Sequence, residues 1–285
     1  VSTSVPRLPR LSRLPRRRNR KKLLAHLPLA LVALATVFPF YVMVVLSVQD
    51  GRPLSLPGSL LPIHINFSAY AEALAGSDVP RWVVNTLAYS VLSVVLILVF
   101  ASIAAYAFAK KRFFGSKAMF WTFIAMLMVP YHLTLIPQFI LVSRLGLLDT
   151  LTGLIVPTLA NAQALFLMRQ FIIGIPDELI EAAKIDGAGE LRIFFQIVLP
   201  QCKPILATLA VFVFLWHWND FLWPLVATRS PDNYVLTVGL YSLQAKDISL
   251  AVTMAAAVVT FVPILVVYLL LQRYFVRGVT MSGMK

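Results

Sequence analysis

Cysteine is almost missing from this chain. Cys202 is the one cysteine in 285 residues, which excludes an intrachain disulfide and a thiolate metal cluster. The four histidines, His26, His64, His132 and His217, fall in four separate segments, so no zinc site is expected from their spacing. Charge is scarce too, at 13% of residues against about a quarter in ordinary soluble proteins. Acids are the rarer sign, twelve against 25 Lys and Arg. No GxxxxGK[ST] phosphate loop occurs, so an ATP site of the usual kind is excluded. No segment repeats at the periods of about 20–50 residues that mark solenoids.

What is present is apolar sequence, 59% of the chain, gathered into charge-poor windows. A helix crosses the hydrocarbon with about 20 apolar residues, and six windows qualify: Leu23–Val48, Val83–Ala109, Ala118–Val142, Leu151–Met168, Pro204–Thr228 and Ser249–Gln272. The fourth is of minimum length and the fifth contains Asp220. Pro39, Pro130, Pro137, Pro157 and Pro263 lie inside these windows, where packed membrane helices tolerate them. The expected fold is all-α, a polytopic membrane protein with six transmembrane helices.

Orientation follows from the basic residues. With the N-terminus inside, segments 1–22, 110–117, 169–203 and the tail hold twenty Lys and Arg, and the outer segments hold five. That asymmetry places both termini in the cytoplasm. "ALA" at 33–35 resembles a signal-peptide cleavage site, but the apolar run continues to Val48, too long for a signal core. The division expected is a basic disordered arm over 1–22, a membrane domain over 23–272 and a cytoplasmic tail over 273–285. The net charge of +13 comes mainly from the arm. Anionic lipid headgroups account for it better than nucleic acid, which is not expected as a partner.

The acids are concentrated as well. Asp177, Glu178, Glu181, Asp186 and Glu190 lie within "PDELIEAAKIDGAGELRIFFQIVLP", residues 176–200. At mid-bilayer each acid costs about 2.5–3.5 kcal/mol, so five would cost about 12–17 kcal/mol. The connection 169–203 therefore lies in water or at the interface. Its pattern reads as two short helices. Pro176 suits a first turn, Asp177 and Glu178 follow where the helix dipole favours anions, and Gly187 suits the left-handed residue that ends a helix. Leu191, Phe194, Phe195 and Val198 are spaced as one apolar stripe, and Pro200 helps stop the second helix. Such a hairpin either floats on the membrane surface or offers a narrow knob to a groove on another protein, and composition leaves both open.

The same stretch resembles the cytoplasmic loop signature of binding-protein-dependent ABC importer permeases. The pattern is Glu181-Ala182-Ala183, three residues, Gly187, nine residues, Ile197, one residue, Leu199-Pro200. "NTLAYSVLSVVLILVFASIAAYAFAK", "LIPQFILVSRLGLLDTLTGLIVP", "WHWNDFLWPL" and the ending "FVRGVTMSGMK" are similar to the maltose-type (MalG-like) carbohydrate branch, over about residues 25–285. The resemblance implies a transport subunit, not an enzyme, in a bacterial cytoplasmic membrane. Its implied partners are a second permease subunit, two cytoplasmic ATP-binding subunits and an extracytoplasmic solute-binding protein that delivers a sugar. ATP and Mg would sit on the partner ATPases, with no cofactor in this chain. The loop would be the coupling helix that docks in an ATPase cleft. Glu181 would then be the main polar contact, Ala182 and Ala183 the close-packed face, and Gly187 the turn, with Asp186, Ile197, Leu199 and Pro200 completing the motif.

Asp220 is the sharpest intramembrane residue, because an ionisable group within a span is a functional candidate. Sixteen residues beyond Pro204, at about 1.5 Å each, place it about 24 Å along a continuous helix. The alternative is an interfacial carboxylate bonded to Asn219 or His217 among Trp216, Trp218 and Trp223, as in an aromatic belt. Asn161 and Gln163, like His132 and Gln138, either meet a sugar or make interhelical hydrogen bonds. An ion-driven secondary transporter is the competing reading. It calls for repeated halves and midplane charges, neither of which is visible.

Overall fold

The computed structural model describes residues 18–49, 60–61, 65–244 and 248–282. The basic arm before residue 18 and the last three residues lie outside them. Among the described residues there are helices and turns but no strands. In chain order the helices are α1 Arg18–Ser47, α2 Ser68–Ala75, α3 Val79–Lys110, α4 Ser116–Met126, α5 Tyr131–Arg144, α6 Leu151–Ile155 and α7 Ala162–Ile173. Then follow α8 Asp177–Ile185, α9 Glu190–Ile193, α10 Leu199–Gln201, α11 Lys203–Trp218, α12 Leu222–Ala227, α13 Leu236–Gln244 and α14 Leu250–Ser282.

Among the described residues, three helical stretches are long and apolar enough to cross a membrane unbroken: His26–Ser47, Val79–Lys110 and Leu250–Leu269. Three more spans arise only if bent pairs are counted together. α4 and α5 meet at 105°, α6 and α7 at 48°, and the Glu190–Gln201 stretch meets α11 at 75°. Pro130 stands at the first bend, where the missing N–H and the ring disfavour a continuous helix, and Pro157 lies in the short turn that precedes the second. The 118–142 and 151–168 windows are thus broken, not straight. The 204–228 window is broken too, since α11 stops at Trp218 and α12 begins at Leu222.

α3 is the central post. Its buried face runs Thr86, Ser90, Ser93, Ile97, Ala101 and Ala105, a stripe at helical spacing built largely of small residues. Such a face lets neighbouring backbones approach closely, which in lipid replaces the hydrophobic drive between helices. α7 and α11 pack against it. At one end α3, α7, α11 and the 175–202 segment share a core that includes Met168, Ile172, Ile193, Val198 and Leu209. At the other end α3 meets α2, α13, α14 and the end of α11 around Trp82, Trp218, Leu236 and Ala255. Gly239 is required there, because a Cβ would overlap the Trp82 indole.

Candidate functional site: the acidic hairpin and the opposite end of the bundle

The acidic stretch folds as a helical hairpin at the Lys110 end of α3. Pro176 precedes α8 as its cap, and Asp177 and Glu178 occupy the first turn, where the dipole favours them. Gly187 turns the chain with φ 77°, a conformation costly for any residue with a side chain. Ile175, Ile180 and Ala183 point inward, 5%, 5% and 8% exposed. Glu181, Ala182, Ile185 and Asp186 point out, and Ile185 is 87% exposed. Of the two alanines expected on a docking face, only Ala182 is on it. Ala183 packs into the chain's own core, because it sits three residues after Ile180 and shares its face.

The second limb differs from the expected single helix. After α9, residues Phe194–Val198 form a π-helical turn, α10 follows, and the helix breaks at Cys202. The wider turn shifts the side-chain register. Phe194 and Val198 are therefore buried, while Leu191 and Phe195 are 75% and 55% exposed, so the apolar stripe is split between core and surface. Ile197 and Leu199 are half-buried against the core, and Pro200 is exposed within α10, which runs two residues past the expected stop at Leu199.

Two lysines tie the hairpin to α3. Lys110 Nζ donates to the Ile175 carbonyl at 2.5 Å and to Asp177 Oδ1 at 2.7 Å. Lys111 pairs with Glu190, whose carboxylate also accepts from the Tyr106 hydroxyl at 3.1 Å. The Lys111 hydrogen bond, with the one from Tyr106, holds the Glu190 carboxyl below its usual value against a small desolvation penalty. Both limbs are thus gripped from one helix end. Glu178, Glu181 and Asp186 form no ion pair among the described residues. Sequence reasoning missed this clamp. "KK" at 110–111 was legible only as topology charge, and nothing local links it to acids 67 and 79 residues on.

The opposite end is built from buried and part-buried hydrogen bonds, with one exposed ion pair, Arg81 with Asp232, beside them. Asp220 lies in the break between α11 and α12, where Tyr89 Oη donates to its Oδ2 at 2.9 Å and Thr237 Oγ1 to its carbonyl at 2.6 Å. Neither Asn219 nor His217 is its side-chain partner. Asn219 Nδ2 folds back to the Leu215 carbonyl, and His217 sits between the Val213 carbonyl and Thr158 Oγ1. Trp223 donates to the Leu154 carbonyl, and Trp82 to that of Pro231. Asp149, at φ 60°, accepts from the amides of Arg229 and Ser230 and from the Ser230 hydroxyl. Partial burial pushes its carboxyl up, but these bonds outweigh it and leave it below the ordinary value.

The remaining candidates divide by local role. Asn161 caps α7 by accepting from the Ala164 amide at 2.8 Å, and Gln163 is exposed. The Tyr131 hydroxyl and Gln138 Nε2 are buried next to each other within α5. No cluster of three or more His, Cys, Asp or Glu that could hold a metal occurs among the described residues.

Comparison with known proteins gives a consistent picture. Residues 97–281 match the family described as binding-protein-dependent transport system inner membrane component. The chain is 35% identical over 261 residues to the arabinooligosaccharides transport system permease protein AraQ of Halalkalibacterium halodurans, covering 90% of this chain and 94% of AraQ. It is 35% identical over 267 residues to the sn-glycerol-3-phosphate transport system permease protein UgpE of Yersinia pestis, covering 90% and 95%. It is 34% identical over 263 residues to the diacetylchitobiose uptake system permease protein NgcG of Streptomyces coelicolor, covering 90% and 87%. The fold matches, at TM-score 0.80 and 27% identity, a chain in the crystal structure of a bacterial ABC transporter that imports the acidic polysaccharide alginate, covering 93% of this chain and all of that one.

Proposed function

We infer a transport cycle from one premise: the chain belongs to the family of inner-membrane components of binding-protein-dependent transport systems. It is a permease subunit of an ABC importer. The substrate is a carbohydrate, an oligosaccharide or a sugar-related polyol phosphate of the kind that its relatives' names carry. The chain sits in a bacterial cytoplasmic membrane as six spans, with both termini and the hairpin inside, beside a second permease subunit. An extracytoplasmic solute-binding protein delivers substrate, and two ATPases bind ATP and Mg in the cytoplasm.

The observation that carries the proposal is the clamped hairpin. It offers Glu181, Ala182, Ile185 and Asp186 outward while Lys110 and Lys111 bind its two limbs to α3. Ile185 at 87% exposure is an apolar knob that none of the described residues covers. A groove on an ATPase covers it and pairs Glu181. When the ATPases close, the hairpin carries α3 with it, and the permease halves rock as rigid bodies between two access states. Because the sequence has no phosphate loop, the stroke arrives through this contact. Asn219, Asp220 and Gln163 are proposed at the path, with the Tyr131 hydroxyl and Gln138 amide available to sugar hydroxyls. The Asn161 side chain is already used as a cap.

Glu181→Lys tests the docking. Membrane insertion should be unchanged, while ATPase copurification and substrate uptake fall at least tenfold, as expected for about 1.4 kcal/mol or more lost at a charged contact. Wild-type copurification and uptake in that variant would remove Glu181 from the interface. An ion-driven secondary carrier is separated by its energy source, since ionophores would then abolish uptake and loss of ATP hydrolysis would not.

A further inference from the structure

Beside the hairpin, where the ends of α3 and α7 meet the start of α4, lies a cavity of about 270 Å³ lined by Phe108, Ser116, Lys117, Phe120, Trp121 and Arg169. That is below the range of about 300–1,000 Å³ usual for small-molecule sites, a volume for a headgroup and not for an oligosaccharide. Its charge is of one sign. No acid occurs between Lys110 and Asp149, and neither Lys117 nor Arg169 forms an ion pair among the described residues. The neighbouring Lys110 and Lys111, by contrast, are neutralised by the hairpin.

Arg169 is held for use. Its Nε donates to the Phe108 carbonyl at 3.1 Å and its guanidinium lies 4.0 Å from the Phe120 ring centroid. These contacts orient the plane and leave four of its five N–H donors without a partner among the described residues. Ser116 opens α4 with no acid and no capping side chain in that first turn, so the positive end of the helix dipole adds to the two cations. The rim is apolar and open. Trp121 is 65% exposed, Met119 51%, and Phe114 fully exposed.

We propose that this cavity binds the phosphate headgroup of an anionic phospholipid whose acyl chains lie along Met119 and Trp121. The two cations and the Ser116 hydroxyl suit a phosphodiester, and an arginine fork suits its paired oxygens. The exposed apolar rim chooses the source. A free phosphate gains nothing from Trp121 and Met119, whereas a tethered one brings chains that cover them. The proposal places the cavity at the cytoplasmic interface, where anionic lipid is concentrated, and so rests on the orientation given above. One structural consequence is a lipid wedged between α3, α4 and α7, next to the helix end that grips the hairpin.

The test reconstitutes the assembled transporter into nanodiscs and follows quenching of Trp121 by phospholipids with brominated acyl chains. Subtracting the signal of Trp121→Phe removes the contribution of the other four tryptophans. Brominated phosphatidylglycerol should quench at lower mole fraction than brominated phosphatidylcholine. Lys117→Gln should lower that preference about fivefold and Lys117→Gln with Arg169→Gln about 25-fold, while Lys117→Arg retains it. Equal quenching by the two lipids, or a preference that survives the double substitution, overturns the proposal. So does loss of the preference on adding millimolar inorganic phosphate, which would make the cavity a site for a free anion. The readout uses neither ATP nor uptake, and nanodiscs present the lipid on both faces. Failure of the hairpin docking therefore leaves it intact, and the reverse also holds.

Discussion

The two ends of the α3 post solve the problem of polar groups in opposite ways. At the Lys110 end, lysines whose side chains are 6% and 28% exposed reach acids that are open to the surface, Asp177 and Glu190 being 73% and 56% exposed. At the Trp82 end an exposed ion pair, Arg81 with Asp232, rims buried and part-buried hydrogen bonds from hydroxyls and indoles, with Tyr89 and Trp223 fully buried. Exposed ion pairs contribute about 0–1 kcal/mol each. A buried donor or acceptor left unpaired costs about 1–3 kcal/mol. The Lys111–Glu190 pair is therefore inexpensive to rearrange, and the buried bonds of the second end are not. The proposed cycle, in which the stroke is taken at one end and a shape held at the other, calls for that division.

The strongest challenge to this contrast is steric. Gly239→Val pushes a side chain into the Trp82 indole, and overpacking at a buried ring should cost about 3 kcal/mol. It is read as a lowered melting temperature of the solubilised protein. Gly189→Ala, on the hairpin, meets nothing within 4 Å and should melt as wild type does. Equal melting of both variants would end the claim that the two ends differ in packing.

A subtler comparison removes one carboxylate from each end. Asp220→Ala strands the Tyr89 hydroxyl in the interior, and should cost about 1–3 kcal/mol of stability. Asp220→Asn keeps an acceptor and should recover most of it. A wild-type melting temperature for the alanine variant would show that the break between α11 and α12 is held without the Asp220 carboxylate.

The smallest effect belongs to Glu190. Its carboxyl is depressed by Lys111 and Tyr106, so the tie is complete above the unfolded value of about 4.3. It is lost as pH falls through the lower folded value. Amide exchange over 177–190 should therefore accelerate below about pH 4 by an amount worth less than about 1 kcal/mol, with the core of α3 unchanged. Glu190→Gln should exchange faster at neutral pH and lose this acid step. An acid step that persists in that variant would assign it to Asp177 or another carboxylate.

Much of the site was readable along the chain. The helical class followed from apolar windows, the hairpin from acids that hydrocarbon would not accept, and the turn at Gly187 from a residue without a Cβ. Asp220 stood out as an ionisable group in an apolar window, but its partner did not, because Tyr89 lies 131 residues away. Helix continuity was also hidden. Asn219 has no mark that would distinguish a helix end from one more span residue until its amide is seen turning back to Leu215. The division of Ala182 from Ala183 followed from packing on Ile180, and that of Phe194 from Phe195 depends on a π turn with no local signature.

What the amino-acid order settled alone is what depends on composition within a few turns: which stretches prefer lipid, which end carries the cations, and where a loop must stay wet. Transfer free energies act on each segment whatever its neighbours are. Tertiary structure alone decided which charges meet, since Lys110 and Lys111 reach Asp177 and Glu190 only after α3 and α7 pack through a face of small residues. It also left Lys117 and Arg169, side by side at one cavity, without an ion pair among the described residues. Pairing at such separations is a property of three-dimensional distance, which a linear pattern does not contain.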